Sequence, residues 1–264
     1  MKIRVVVITL SVLFANFVWA ENYSPARSSN PKDVFWGDTH LHTRNSADAY
    51  TYGNKNLSPD DAYRYAQGKE LVAHNGMKVR IKTPLDFLVV ADHAEYLGGF
   101  YRYGKQDPRI KKTAIGRKWD QWTSAGEDQK IYPTFTASQV DPVSYPPFPE
   151  RLQKSIWKGV ANSADAHNKP GTFTTFSGYE WTSMINRNNL HRVVIYKDSA
   201  DKVAQMAPFS AQSSQDPREL WKFLAQYEKA TDGEVIAIPH NSNLSGGMMF
   251  PDNTVDGNPI DVGY

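Results

Sequence analysis

Residues 84–92 read PLDFLVVAD. Pro84 and Asp86 punctuate the start, and Phe87 to Ala91 are apolar without a break. A strand with one wet face alternates polar and apolar residues. An unbroken apolar run of this length predicts a strand covered on both faces, as in sheets flanked by helices. The run stops at Asp92-His93, so two polar side chains stand where the strand ends. The same grammar recurs along the chain. VFW at 34–36 is followed by Asp38, His40 and His42, and TFTTFSGYE at 172–180 ends on Glu180. EVIAIPH at 234–240 ends on His240, whereas HRVVIY at 191–196 begins on His191. These runs predict five strands.

Helical signals lie between them. Ser58-Pro59 before DDAYRYAQG supplies an N-cap, a proline at the first helical position and acids in the first turn. Asp216-Pro217 before RELWKFLAQYEKA repeats the device, with Leu220, Phe223, Leu224 and Tyr227 on one face. Strands alternating with helices predict an α/β fold with a largely parallel sheet or barrel. Residues 101–170 break the rhythm and turn proline-rich at 142–149. They read as a long insertion with one or two helices, one around RLQKSIWKGVANSADAH, serving either as a surface excursion or as a wall of the site.

The N-terminus bounds the compartment. Lys2 and Arg4 precede an apolar core from Val5 to Phe17, and Val18-Trp19-Ala20 places small residues where a signal peptidase reads. Residues 1–20 are therefore expected to be a cleaved secretory signal and 21–33 a polar lead-in. The apolar stretch is short for a span of about 20 residues, so export without a lasting membrane anchor is expected, with a periplasmic location. The 30 Lys and Arg, less Lys2 and Arg4, equal the 28 Asp and Glu. A mature chain of zero net charge offers no bulk attraction for nucleic acid. With no cysteine there is no disulfide framework and no lipid-attachment thiol.

Five of the seven histidines, His40, His42, His93, His191 and His240, sit at predicted strand boundaries. His74 and His167 lie in polar, loop-like contexts and are expected to be solvated. Polar residues at the ends of several strands are how α/β barrels and open sheets build active sites. His191, at the start of its run, must reach such a site by a different approach. Residues i and i+2 of an extended chain share a side, so His40 and His42 can share a metal. A His/Asp/Glu set without cysteine suits zinc, manganese or iron.

Taken in order, DTHLHT, ADH, GYEW, NLHR and IPH resemble the PHP superfamily of metal-dependent phosphoesterases. With the export signal, WGDTHLHT and AIPHNSN, the chain is most similar to the exported branch called domain of unknown function 3604, over residues 34–264. The resemblance implies a distorted seven-stranded (β/α)7 barrel around two or three divalent ions. It implies that His40 and His42 bind a first metal, that Glu180 bridges to a second completed by His191 and His240, and that Asp48 and His93 hold a third. Asp92 and Asp38 are expected behind the ligands, each holding an imidazole. Arg192, beside His191, is a candidate clamp for a tetrahedral anion. The superfamily pattern closes with an Asp-x-His pair, and no histidine follows His240. The barrel is therefore expected to be C-terminally incomplete in this chain; Asp252, Asp256 and Asp261 are the acids left to substitute.

The expected activity is hydrolysis of a small-molecule phosphate or sulfate ester by a metal-activated water, with Glu180, Asp92 and Arg192 in catalytic roles. Two alternatives stand beside it. One is a non-catalytic metal- or ligand-binding module. The other is an amidohydrolase-like enzyme, although that group places a lysine between its metals where this chain offers Glu180.

Overall fold

The structure, a computed structural model, describes residues 34–254 and 256–260. The expected signal and lead-in, and Asp261, lie outside the described residues. The described residues from Phe35 onward form one compact unit.

The apolar run is the second strand of a curled, five-stranded half-barrel sheet in a mixed α/β fold. The large sheet contains β1 (Gly37–Leu41), β4 (Phe87–Val90), β5 (Thr174–Trp181), β6 (Arg192–Tyr196) and β7 (Val235–Pro239), paired in that order. Leu88, Val89, Val90 and Ala91 are fully buried. Leu88 and Val90 pack outward against Tyr63 and Ala66 of α2 (Pro59–Ala66) and against Ala164 and Phe173. Val89 and Ala91 face inward with Val193 and Ile195. Both faces are covered, which is why the run needs no polar alternation. Gly178 of β5 lets the strands close up here, since a Cβ would run into Val89 Cγ1 and lie 3.0 Å from the Val194 carbonyl oxygen.

The sheet is less parallel than expected. β1 and β5 both pair parallel with β4, but β5–β6 and β6–β7 are antiparallel. The run at 191–196 joins β5 through a loop of ten residues, too short for a parallel crossover. The described residues build five strands in this sheet, with β1 and β7 at its edges, rather than a closed seven-stranded barrel. Two further strands, β2 (Leu71–Val72) and β3 (Lys78–Val79), form a separate hairpin with exposed His74 between them. VFW at 34–36 is not a strand; its side chains are exposed and β1 begins at Gly37. Gly37 pairs with Phe87, the first residue of β4, so the residues before it have run past the end of the ladder.

Residues 99–167 are far from a surface excursion. They carry five helices, α3 (Gly99–Gly104), α4 (Pro108–Lys111), α5 (Ala114–Ser124), α6 (Thr134–Val140) and α7 (Glu150–His167). Trp119 of α5 is fully buried among Tyr96, Phe100, Tyr103 and Phe148, the last drawn from the proline-rich stretch. Trp157 of α7 lies against Tyr179 of β5 and Tyr196 of β6. The largest apolar core is therefore built between this segment and the outer face of the sheet. His167 is not in a loop; it ends α7, where Asp60 and Gln67 hold its ring.

The remaining helices are α1 (Ala47–Thr51), α8 (Ala200–Val203) and α9 (Pro217–Thr231). The expected caps form: Ser58 and Asp61 close a reciprocal capping box on α2, and the Asp216 side chain accepts from Arg218 N at the start of α9. Among the described residues no helix is long and apolar enough to cross a membrane.

Candidate metal centre

Strand direction assembles the site. β1, β4, β5 and β7 finish at one end of the sheet, and antiparallel β6 starts there. That places His191, just before β6, beside the residues that end the other strands. Glu180 of β5 sits at the middle of the group, 1% exposed.

Its two oxygens face different histidines. His40 Nε2 and His42 Nε2 lie 3.1 and 2.9 Å from Oε2 and 3.0 Å from each other. His191 Nδ1 and His240 Nε2 lie 2.6 and 2.9 Å from Oε1. On the far side of His42, Asp48 in the first turn of α1 places Oδ1 3.3 Å from His42 Nδ1 and Oδ2 3.5 Å from His93 Nε2. Two sets of donor atoms converge: His40, Glu180 and His240, and His42, Asp48 and His93.

These contacts are poorly explained as hydrogen bonds alone. Two imidazole nitrogens and a carboxylate oxygen all about 3 Å apart cannot each find a proton between them. Atoms bound about 2.0–2.1 Å from one ion sit about 2.9–3.4 Å from one another, so the spacing is that of ligands on a shared cation. His240 Nδ1 and His191 Nε2 are buried without a hydrogen-bond partner, and such orphans need an explanation. The donor set is nitrogen and oxygen only. The buried cluster can hold a metal ion.

Electrostatics point the same way. Burial opposes ionisation of Glu180, yet the surrounding His93, His191, His240 and His40 hold its carboxyl well below the usual range. Burial likewise works against Asp48, and His42 and His93 overcome it to lower its pKa. Burial alone would lower the His42 pKa; Asp48 and Glu180 reverse this and raise it to about 10. For His240, burial prevails and lowers it. Glu180 and Asp48 are both held as carboxylates within the cluster.

The His42 shift gives a pH prediction. With its pKa raised from 6.5 to about 10, His42 in the metal-free protein keeps its proton at neutral pH. The stability this supplies is present below the unfolded value and lost as pH rises through about 10. A bound ion needs the lone pair, so uptake at pH 7 is expected to release about one proton from His42. Titrating metal in buffers of different ionisation enthalpy measures that number; it falls as pH approaches 10.

The other expected site residues take different places. Asp92 holds no imidazole. It is buried, accepts from Thr43 N at 2.5 Å and Thr43 Oγ1 at 2.7 Å, and so ties down the turn after His42. Burial raises its pKa against those hydrogen bonds. Asp38 is exposed and accepts from its neighbour's backbone, His40 N, rather than from a ring. Arg192 pairs in register with Trp181, on the sheet face opposite Glu180. Its guanidinium donates to the Leu190 carbonyl and lies 5.9 and 5.2 Å from the Trp181 and Trp221 rings. Asp256 pairs with Arg218 at the start of α9.

Sequence reading passed over two hydroxyls. Ser46 Oγ is 2.7 Å from His42 Nδ1 and accepts from His93 N at 3.2 Å. Thr182 Oγ1 is 2.6 Å from His93 Nδ1. Their only signal is closeness in sequence to ligands, which serine and threonine share with many idle positions. A ladder of rings also leads outward from the cluster. His93 lies 4.9 Å from Phe135, which stacks 6.2 Å from Tyr132, itself 6.1 Å from exposed Tyr52.

No curated protein and no solved structure matches the chain. One family does, described as "Protein of unknown function (DUF3604)", over residues 29–264. With that match spanning the site and nearly all of the chain, the protein belongs to this family.

Proposed function

We propose that the protein is an exported, metal-dependent hydrolase of phosphate or sulfate esters, with a PHP-like site for two or three divalent ions of zinc, manganese or iron. The observation that carries this reading is Glu180: each carboxylate oxygen faces its own histidine pair, His40/His42 and His191/His240. Glu180 with these histidines would hold ions, and Asp48 with His93 and His42 would offer a further place. When bound, the ions supply an activated water and neutralise the charge that develops on the ester oxygens.

The chain's own residues do the rest. His40, His42, His191 and His240 hold the donors on fixed strand ends, where packing limits their rotation. Asp92 fixes the turn at Thr43 and with it the direction of His42. The Phe135–Tyr132–Tyr52 ladder forms an aromatic wall beside His93, which favours an organic ester over bare phosphate. Arg192 stands on the other face of the sheet, so we give it no clamp role.

The test is metal analysis of the purified protein, followed by turnover of aryl phosphates and aryl sulfates with manganese, zinc or iron(II). The expected result is bound metal and hydrolysis that a chelator abolishes. Metal uptake without turnover of either ester would favour a binding module, and absence of metal uptake would remove the proposal.

A further inference from the structure

We infer that Thr182 is a positioning residue whose hydroxyl fixes the ring tautomer of His93 and so prepares the Asp48–His93 pair for a cation. The inference rests on the multi-metal reading above and concerns a residue that the motif pattern leaves unassigned. Thr182 follows β5 and is fully buried. Its Oγ1 lies 2.6 Å from His93 Nδ1 and 3.4 Å from the Glu180 backbone oxygen. The hydroxyl has one proton to give.

Two arrangements are available. In the first, the hydroxyl donates to the Glu180 carbonyl and accepts from His93 Nδ1–H. His93 Nε2 then presents a lone pair toward Asp48 Oδ2. In the second, the hydroxyl donates to Nδ1, and the ring proton sits on Nε2. Two distances favour the first. Glu180 Oε2 is 3.3 Å from His93 Nδ1, so a bare lone pair there would face a carboxylate, whereas an N–H there is attracted to it. Asp48 Oδ2 is 3.5 Å from Nε2, longer than the 2.7–3.2 Å of an ordinary N–H···O bond. Nε2 and Oδ2 are thus two acceptors spaced for an ion between them. The imidazole that ligates through one nitrogen is oriented by what its other nitrogen donates to.

Thr182 is itself anchored. Its backbone N–H points at Glu95 Oε1 at 3.4 Å, and the same oxygen accepts from Ala211 N at 2.7 Å. Glu95 is fully buried, so this anchor lies behind the site, away from water. The Thr182 backbone is thus held from behind by a residue outside the ligand set.

The experiment compares wild type with Thr182→Val, which keeps the shape and removes the hydroxyl, and Thr182→Ser, which keeps the hydroxyl. Metal-free protein is titrated with Mn²⁺ or Zn²⁺ by calorimetry. Ring nitrogens of His93 are followed by ¹⁵N NMR in the metal-free state over a pH series, and the tautomer is read where the ring is neutral. The expected result is a loss of roughly 10–100-fold in affinity at one class of site for Thr182→Val, with Thr182→Ser close to wild type. His93 is expected to carry its proton on Nδ1 in wild type and Thr182→Ser, and to become a mixture in Thr182→Val. If Thr182→Val does not fold, Thr182→Ala takes its place in the comparison. Wild-type affinity and tautomer in the valine variant would overturn the inference, and so would equal losses in the serine and valine variants. Failure of wild type to bind metal would instead remove the functional proposal beneath it.

Discussion

Replacing Glu180 with glutamine is expected to abolish high-affinity metal uptake and, with it, any hydrolysis. The two oxygens of this carboxylate face all four of His40, His42, His191 and His240. Glutamine keeps the shape but removes the charge and turns one oxygen into a donor. Loss of an outer-shell partner costs roughly 10–100-fold in metal affinity, and loss of a shared ligand must exceed that. Calorimetric titration with Mn²⁺ or Zn²⁺ measures it directly. Retained affinity within about tenfold of wild type, or 1.4 kcal/mol, would show that Glu180 is a buried acid in a histidine cage and not a bridge.

The second large effect lies away from the ligands. Trp157→Ala is expected to destabilise the metal-free protein by about 3–5 kcal/mol. Trp157 is 1% exposed and fills the space between α7 and the Tyr179 and Tyr196 rings. Its Nε1 donates to the Val203 carbonyl at 3.0 Å, a bond that alanine leaves unmade. Urea unfolding of the metal-free protein gives the value. A loss under about 1 kcal/mol is the size expected of a surface substitution and would mean that α7 is peripheral, as the bare sequence allows. The two variants separate two kinds of failure, since Trp157 packs on Tyr179 and Tyr196, on the sheet face opposite Glu180.

Much of the site was legible because metal chemistry restricts residue type. His40, His42, His93, Glu180, His191 and His240 stand out by their places beside apolar runs, Asp48 is pointed to by the family resemblance alone, and the fold brings all seven together. The grouping was harder to read. His42 faces Ser46 and Asp48 through Nδ1 and His40 and Glu180 through Nε2, and only side-chain rotation decides that. Asp92 is legible as an acid behind the ligands, but its partner is not. A carboxylate beside a histidine in sequence points to the opposite side of an extended chain, so it reached Thr43 instead of a ring. Arg192 failed for the same reason: a residue next to a ligand in a strand faces away from it.

The amino-acid sequence by itself determined the covered strand at 87–91, the capped helices at 59 and 217, and the residue types that meet at the strand ends. These are local consequences of periodicity, capping and residue chemistry. Only the tertiary structure decided that 191–196 runs antiparallel, that 99–167 forms core helices around Trp119 and Trp157, and that Thr182 stands behind His93. Strand direction and helix docking depend on contacts between residues far apart in the chain, and apolar runs of equal strength satisfy many such pairings. The choice among them is made by the whole core at once.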